Sequence, residues 1–266
     1  MSVVGLLFPG EMGTEVGSAA RAEVIWASEG RSDTTAKRAA GAGFRDVGTL
    51  GGIVQESSIL LSICPPAIAE EVADQVAAAG FGGLYVEANA IAPARVERIS
   101  DTLGGRGIRM VDGSIIGATG VNLYLSGAEA DVAEVAALFS DTAVSAVPLA
   151  AGVGAASALK MAFGGWNKIG IALAAQAHAI ARAYGVDDAL ASEGVDPGRF
   201  VRSARKAWRW APEMEEVAAT CEALGLPAGM GEGAAALYRR WDRHRDGFAD
   251  VDALLADLLG RPAKPS

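Results

Sequence analysis

The sequence predicts an α/β amino-terminal half built on a doubly wound parallel sheet, joined through a long interdomain helix to an all-α carboxy-terminal half. Three observations lead there. Short apolar runs alternate with Ala-rich segments of helical spacing through residues 1–151, the pattern of successive βαβ units. Past Gly152 the strand-like runs stop. From Ala155 to Tyr184 apolar residues recur at helical spacing with no proline, which predicts a single long helix. Residues 1–151 are therefore expected to form one domain and residues 152–266 another, each of ordinary domain size.

The strand-like runs are Val3–Phe8, Glu23–Ala27, Ser58–Ile63, Leu84–Glu87, Met110–Val111, Leu123–Leu125 and Ala143–Leu149. Helical patterns cover Ala67–Ala79, Ala92–Leu103 and Ala128–Phe139. Val3–Phe8 is almost continuously apolar, as a strand buried on both faces should be. Within the long helix, Gly164 and Gly165 each cost roughly 1 kcal/mol relative to alanine. Further helices are expected over Asp187–Glu193, Gly198–Arg209, Pro212–Leu224, Gly229–Arg243 and Asp250–Leu259, and the Pro-rich tail after Gly260 is expected to fray.

Composition narrows the function. Apolar residues make up 51% of the chain and charged residues 21%, enough for a packed core. The net charge of −9 speaks against a nucleic-acid partner, which needs a basic face. It leaves room for a phosphate-bearing cofactor, because backbone N–H groups at a helix start hold pyrophosphate. Cys64 and Cys221 are the only thiols and form no CxxC, so a disulfide framework is not expected and a reducing cytoplasm is. Neither a secretory signal nor a membrane-spanning run is recognisable. His178 and His244 stand alone, no cluster has metal-ligand spacing, and no Gly-x-Ser-x-Gly occurs, so neither a metal nor a serine hydrolase is expected.

Val3–Phe8 runs into Pro9-Gly10-Glu11-Met12-Gly13 and a helix expected to start near Thr14. Strand, glycine turn and helix start are the context of a Rossmann dinucleotide site. Gly10 would let the backbone approach a pyrophosphate, and Gly13 would let the helix lie close on the strand; Phe8 stands where the first glycine of the fingerprint belongs. After the second strand comes Ser28-Glu29-Gly30-Arg31-Ser32. Glu29 suits the ribose hydroxyl of NAD, whereas Arg31 and Ser32 suit a 2′-phosphate, so NADP(H) is favoured over NAD(H).

Gly10-x-Met12-Gly13 and the Pro65-Pro66 pair that follows the strand ending near Cys64 resemble the β-hydroxyacid dehydrogenase superfamily. That superfamily includes 3-hydroxyisobutyrate and 6-phosphogluconate dehydrogenases and has imine reductases as relatives. Val86-Glu87-Ala88-Asn89-Ala90-Ile91-Ala92-Pro93 resembles its Asp-x-Ser-Thr-x-Ser-Pro segment, with Asn89 near the polar position that faces nicotinamide and substrate. Val111-Asp112-Gly113-Ser114-Ile115-Ile116-Gly117 resembles its substrate loop, and the stretch from Gly152 to Lys160 resembles the approach to its catalytic lysine. The family's asparagine four residues beyond that lysine is Gly164 here, and Asn167 is the next candidate. The family's Lys-Asp pair near the C-terminal end is absent; Trp210–Glu216 occupies that region. The resemblance implies an NAD(P)-dependent oxidoreductase acting on a small molecule. It implies a dinucleotide held by Pro9–Gly13, Glu29, Arg31, Ser32, Cys64, Pro65, Pro66 and Asn89, and a homodimer formed through the helical half.

Lys160 lies among Ala158, Leu159, Met161 and Ala162, and a lysine on an apolar face is costly to bury unless it has a partner or a task. Such an ammonium can give or take the proton at a substrate oxygen while hydride moves at nicotinamide. Ser157, Lys160, Gly164 and Asn167 fall on one helical stripe, with Lys168 on the neighbouring face as an alternative titrating group. Ser114, Ile115, Ile116 and Gly117 are expected to bind substrate, as are Trp210 and Met214, one helical turn apart. Two other readings stay open. Imine reduction is favoured by the apolar Ile115-Ile116 and by the missing asparagine. A non-catalytic dinucleotide-binding sensor or assembly module would keep Gly10 and Gly13 without turnover.

Overall fold

The structure is a computed structural model that describes residues 2–117, 120–245, 247 and 249–260. The tail expected to fray lies outside the described residues. The chain forms two compact units, Met1–Lys160 and Met161–Ser266. The first therefore ends inside the long helix, past the boundary expected at residue 151.

In the first unit the elements run β1 (Val3–Leu6), α1 (Glu11–Ala19), β2 (Glu23–Trp26), α2 (Asp33–Gly41), β3 (Arg45–Asp46), α3 (Leu50–Glu56), β4 (Ile59–Ser62), α4 (Ala69–Ala78) and β5 (Leu84–Glu87). They continue through α5 (Pro93–Gly104), β6 (Arg109–Ile116), β7 (Val121–Gly127), α6 (Glu129–Ala137), β8 (Val144–Pro148) and the start of α7 (Ala155–Tyr184). One sheet takes the order β3-β2-β1-β4-β5-β6-β7-β8. Its strands pair in parallel except β6 with β7, so the expected all-parallel sheet has one antiparallel pair. The physical cause is the short connection: strands joined by a few residues must run antiparallel, whereas a parallel return needs a crossover.

Period-2 alternation sends the side chains of each central strand into two cores. Val4, Leu6, Ile59, Leu61, Leu84 and Val86 pack with Val16 of α1 and Val132 and Val135 of α6. Leu60 and Tyr85 pack on the other side with Val72 and Val76 of α4 and Val96, Ile99 and Leu103 of α5. This two-sided burial is what the near-continuous apolarity of β1 and β4 encodes.

The second unit holds the rest of α7, then α8 (Asp187–Ser192), α9 (Gly198–Ser203), α10 (Ala207–Ala223), α11 (Gly229–Arg239) and α12 (Val251–Leu259). The expected break before Pro212 instead falls at a 3-10 turn, Ala204–Lys206, and Pro212 lies within α10. There its missing N–H forfeits only one bond close to the helix start. Phe200, Tyr238 and Trp241 are fully buried; Phe200 stacks on Trp241 and Tyr238 meets Trp241 edge-on, with ring centroids 6.0 Å apart in each pair. The Trp241 indole N–H donates to the Leu254 carbonyl at 3.1 Å.

Candidate active site

The sheet order reverses between β1 and β4, the switch point outside which ligands of open α/β sheets bind. The turn after β1 carries Pro9 and Gly10; the turn after β4 carries Cys64, Pro65 and Pro66. Helix α1 begins at Glu11 rather than near Thr14, so Gly10 is its N-cap and Glu11, Met12 and Gly13 form its first turn. A Cβ on Gly13 would lie 2.3 Å from the Phe8 carbonyl oxygen, a contact no side chain tolerates. A Cβ on Gly10 would meet nothing within 4 Å. The third glycine position thus serves close packing and the second faces open space, as a pyrophosphate-binding turn requires.

Arg31 does not sit as an exposed loop charge. Its guanidinium lies 3.7 Å from the centroid of the Phe8 ring, its Nε is buried with no hydrogen-bond partner, and burial lowers its pKa. Arg31, Phe8 and Glu29 line a cavity of about 140 Å³ with Ala27, Leu50 and Val72. Ser32 is the N-cap of α2, and its hydroxyl accepts from the Thr35 N–H at 3.3 Å.

Asn89 follows β5 and ties the end of that strand to the turn after β4. Its Oδ1 accepts from the Cys64 N–H at 2.5 Å, and its Nδ2 donates to the Ser62 hydroxyl at 3.2 Å and to Oε1 of Glu87. Both amide protons are committed, and Asn89 is only 4% exposed, so its geometry is that of a brace for the Cys64–Pro66 turn. Burial, with Glu87 beside it, pushes the Cys64 thiol up to about 12, which keeps it protonated and poorly nucleophilic.

A polar row that the sequence reading did not single out runs beneath this turn. Ser62, Glu87, Asp112 and Ser126 stand opposite one another across β4, β5, β6 and β7, and all four are fully buried. The row ends on α7. Asp112 accepts from the Ser157 hydroxyl at 2.7 Å and the Ser157 N–H at 3.0 Å, while Ser126 accepts from the Ala156 N–H at 3.0 Å. First-turn N–H groups of a helix have no partner within the helix, and here side chains of the sheet supply it. Burial pushes the Glu87 carboxyl up to about 8; it also raises Asp112, against the pull of the Ser157 and Ser126 hydrogen bonds. An acidic residue ending the apolar run Leu84-Tyr85-Val86 was the available signal.

One turn along the anchored helix, the Lys160 ammonium donates to the main-chain carbonyl of Ile115. The segment from Ser114 to Ile116, expected as a loop, is the end of β6, paired with Asn122–Tyr124 of β7. Ile115 and Ile116 are buried, with Ile115 in the sheet core, so it is the backbone of this segment that meets the lysine. The Ser114 hydroxyl is buried without a partner, and Gly117 follows the strand.

Asn167, Trp210 and Met214 belong to the second unit. The Asn167 Oδ1 accepts from Arg199 at 2.9 Å; Trp210 packs edge-on against Tyr238, and Met214 is fully buried. Lys168 forms an ion pair with Glu213, both side chains 11% exposed. A Cβ at Gly164 would lie 2.8 Å from that carboxylate and one at Gly165 3.1 Å from Val217, so this glycine pair serves the packing of α10 on α7.

Residues 196–241 match a family described as a domain of unknown function, DUF1932. No curated protein matches the sequence. Among solved structures, the 3-hydroxyisobutyrate dehydrogenase of Mycobacterium tuberculosis with L-serine superposes with a TM-score of 0.74 at 16% identity, over 97% of this chain and 99% of that one. A conserved protein of unknown function, reported as structurally similar to 3-hydroxyacid dehydrogenases, gives 0.68 at 24% identity over 91% and 98%. The imine reductase of Myxococcus stipitatus in complex with NADP+ gives 0.58 at 19% identity over 97% and 99%. The likeness is one of fold, and the chain has the two-domain fold of the 3-hydroxyisobutyrate dehydrogenases and imine reductases, as its motifs implied.

Proposed function

We propose that this protein is an NADP-dependent oxidoreductase that interconverts a small β-hydroxy acid, or a related alcohol, with its carbonyl form, with Lys160 as proton donor and acceptor. The observation that carries the reading is the hydrogen bond from Lys160 to Ile115. It brings the lysine to the end of β6, where the sequence resemblance expects substrate, and on the sheet edge that carries the two turns of the crevice. The 3-hydroxyisobutyrate dehydrogenase and the NADP+-bound imine reductase that share the fold are consistent with this chemistry.

Residues of the first unit fit a dinucleotide. Gly10 opens the turn before α1, whose first-turn N–H groups would take the pyrophosphate; Arg31 and Ser32 would take a 2′-phosphate, and the braced Cys64–Pro66 turn would meet the nicotinamide end. When bound, the nicotinamide supplies or accepts the hydride. Lys160 would exchange its carbonyl partner for the substrate oxygen, donating a hydrogen bond as charge develops there and passing or receiving the proton. Asn89 acts as a positioning residue because its polar atoms are already engaged. The imine reading loses one support, because the apolar side chains of Ile115 and Ile116 are buried in the fold. A reducing compartment suits the free Cys64 and Cys221, and we propose the cytoplasm.

NADPH consumption against a panel of oxo acids, aldehydes and cyclic imines tests the proposal. Turnover confined to oxo compounds supports it. Turnover confined to imines would transfer the assignment to imine reduction, and dinucleotide binding without turnover on any member would favour a sensor or assembly module.

A further inference from the structure

We infer that Phe8 is a specificity-determining residue for the cofactor, acting through Arg31 to favour a dinucleotide that carries a ribose phosphate; the inference rests on the NADP reading above. Phe8 occupies the place of the first fingerprint glycine. What the ring adds is a flat apolar face under the guanidinium of Arg31, 3.7 Å from its centroid. Among the described residues Arg31 has no carboxylate partner, and its Nε is buried without any acceptor. The ring therefore supplies the contact that keeps a partly desolvated cation in place.

The physical consequence is preorganisation. An arginine side chain on a loop carries substantial rotamer entropy, which a ligand contact must otherwise overcome. The cation–π contact with Phe8 holds the guanidinium in place, so part of that ordering is complete before any ligand arrives. The backbone around it is also held. Arg38 donates to the Pro9 carbonyl at 3.3 Å, and the Arg31 N–H donates to the Ser28 carbonyl at 3.0 Å. The Phe8 ring and the guanidinium line the same cavity as Glu29, the acidic alternative for a cofactor without the phosphate. Because the Arg31 Nε is buried without an acceptor and the cation is partly desolvated, an anionic oxygen is the ligand chemistry it selects.

A double-mutant cycle on the full-length protein tests this by dissociation constants for NADPH and NADH, with no substrate needed. Phe8→Leu is expected to weaken NADPH about threefold to tenfold and leave NADH unchanged, in line with the loss of a cation–π contact. In an Arg31→Ala background the same change is expected to have no further effect, and Phe8→Tyr, which keeps the ring face, is expected to bind like wild type. Equal weakening of both dinucleotides, a Phe8→Leu effect that persists without Arg31, or loss of binding in Phe8→Tyr overturns the inference while leaving the NADP reading intact. Wild type that prefers NADH, or binds neither dinucleotide, overturns both.

Discussion

The ammonium of Lys160 donates a hydrogen bond to the main-chain carbonyl of Ile115, joining the first turns of α7 to the end of β6. Asp112, three residues before Ile115, accepts from Ser157, three residues before Lys160. Strand and helix are therefore fastened twice at matched positions. The lysine is placed by a folded framework rather than by its own flexible stem.

The first prediction concerns that fastening. Asp112→Ala leaves the buried Ser157 N–H without its acceptor, which costs about 1–3 kcal/mol. Thermal unfolding is expected several degrees lower, and turnover is expected to fall because the start of the lysine helix loses its anchor. Asp112→Asn keeps one acceptor oxygen and should lie between the two. A wild-type melting temperature in Asp112→Ala would show that α7 is held by other contacts.

Glu87 predicts a pH dependence of stability. Its folded carboxyl is held up to about 8, whereas the unfolded chain releases that proton at about 4.3. Between these values the folded state retains a proton that the unfolded state has lost. Stability should therefore fall as pH rises through that window and level off above it. Glu87→Gln removes the titration and should flatten the slope of unfolding free energy against pH, measured by urea denaturation from about pH 5 to about pH 8. An unchanged slope in the variant would mean that Glu87 ionises in the folded protein at an ordinary pH.

Within the second unit, α7 carries Trp166, Leu173, Ile180 and Tyr184, which are 76%, 65%, 57% and 82% exposed. Their spacing puts them on one face of the helix. We predict a homodimer that covers this stripe, since a contiguous exposed apolar face marks an interaction surface. Light scattering should give twice the chain mass, and the Leu173→Glu, Ile180→Glu double variant should give the monomer with its helical circular dichroism unchanged. A wild-type monomer at micromolar concentration would contradict the prediction.

Much of the fold was legible because the elements carry their period in their composition. The apolar runs at β1, β4 and β5 and the uninterrupted helix from Ala155 to Tyr184 fall where the pattern places them. Missed elements lack that signal. β3 has two residues, both exposed, while α2 has a single buried residue, Ala39, and α3 only Ile53. The end of β6 reads as loop in the sequence because Gly113 and Ser114 interrupt its apolar run, though both are buried within the sheet. At the site, Gly10, Gly13 and Lys160 could be named from motif and neighbours. The Ser62–Glu87–Asp112–Ser126 row could not, since cross-strand register joins residues that are remote in the chain. The stack of Arg31 on Phe8 is likewise a tertiary contact across two turns.

The most direct test of the account is the turnover of Lys160→Met, with the substrate identified by the NADPH panel. Methionine keeps the length of the side chain and removes both charge and donor. NADPH affinity should stay near wild type, because Lys160 bonds the end of β6 and not the glycine turn. Turnover should fall by at least about a hundredfold, the lower end of what a positioned proton-transfer group contributes. A variant that binds NADPH normally and retains most of its activity would contradict the assignment of Lys160 as the proton-transfer residue.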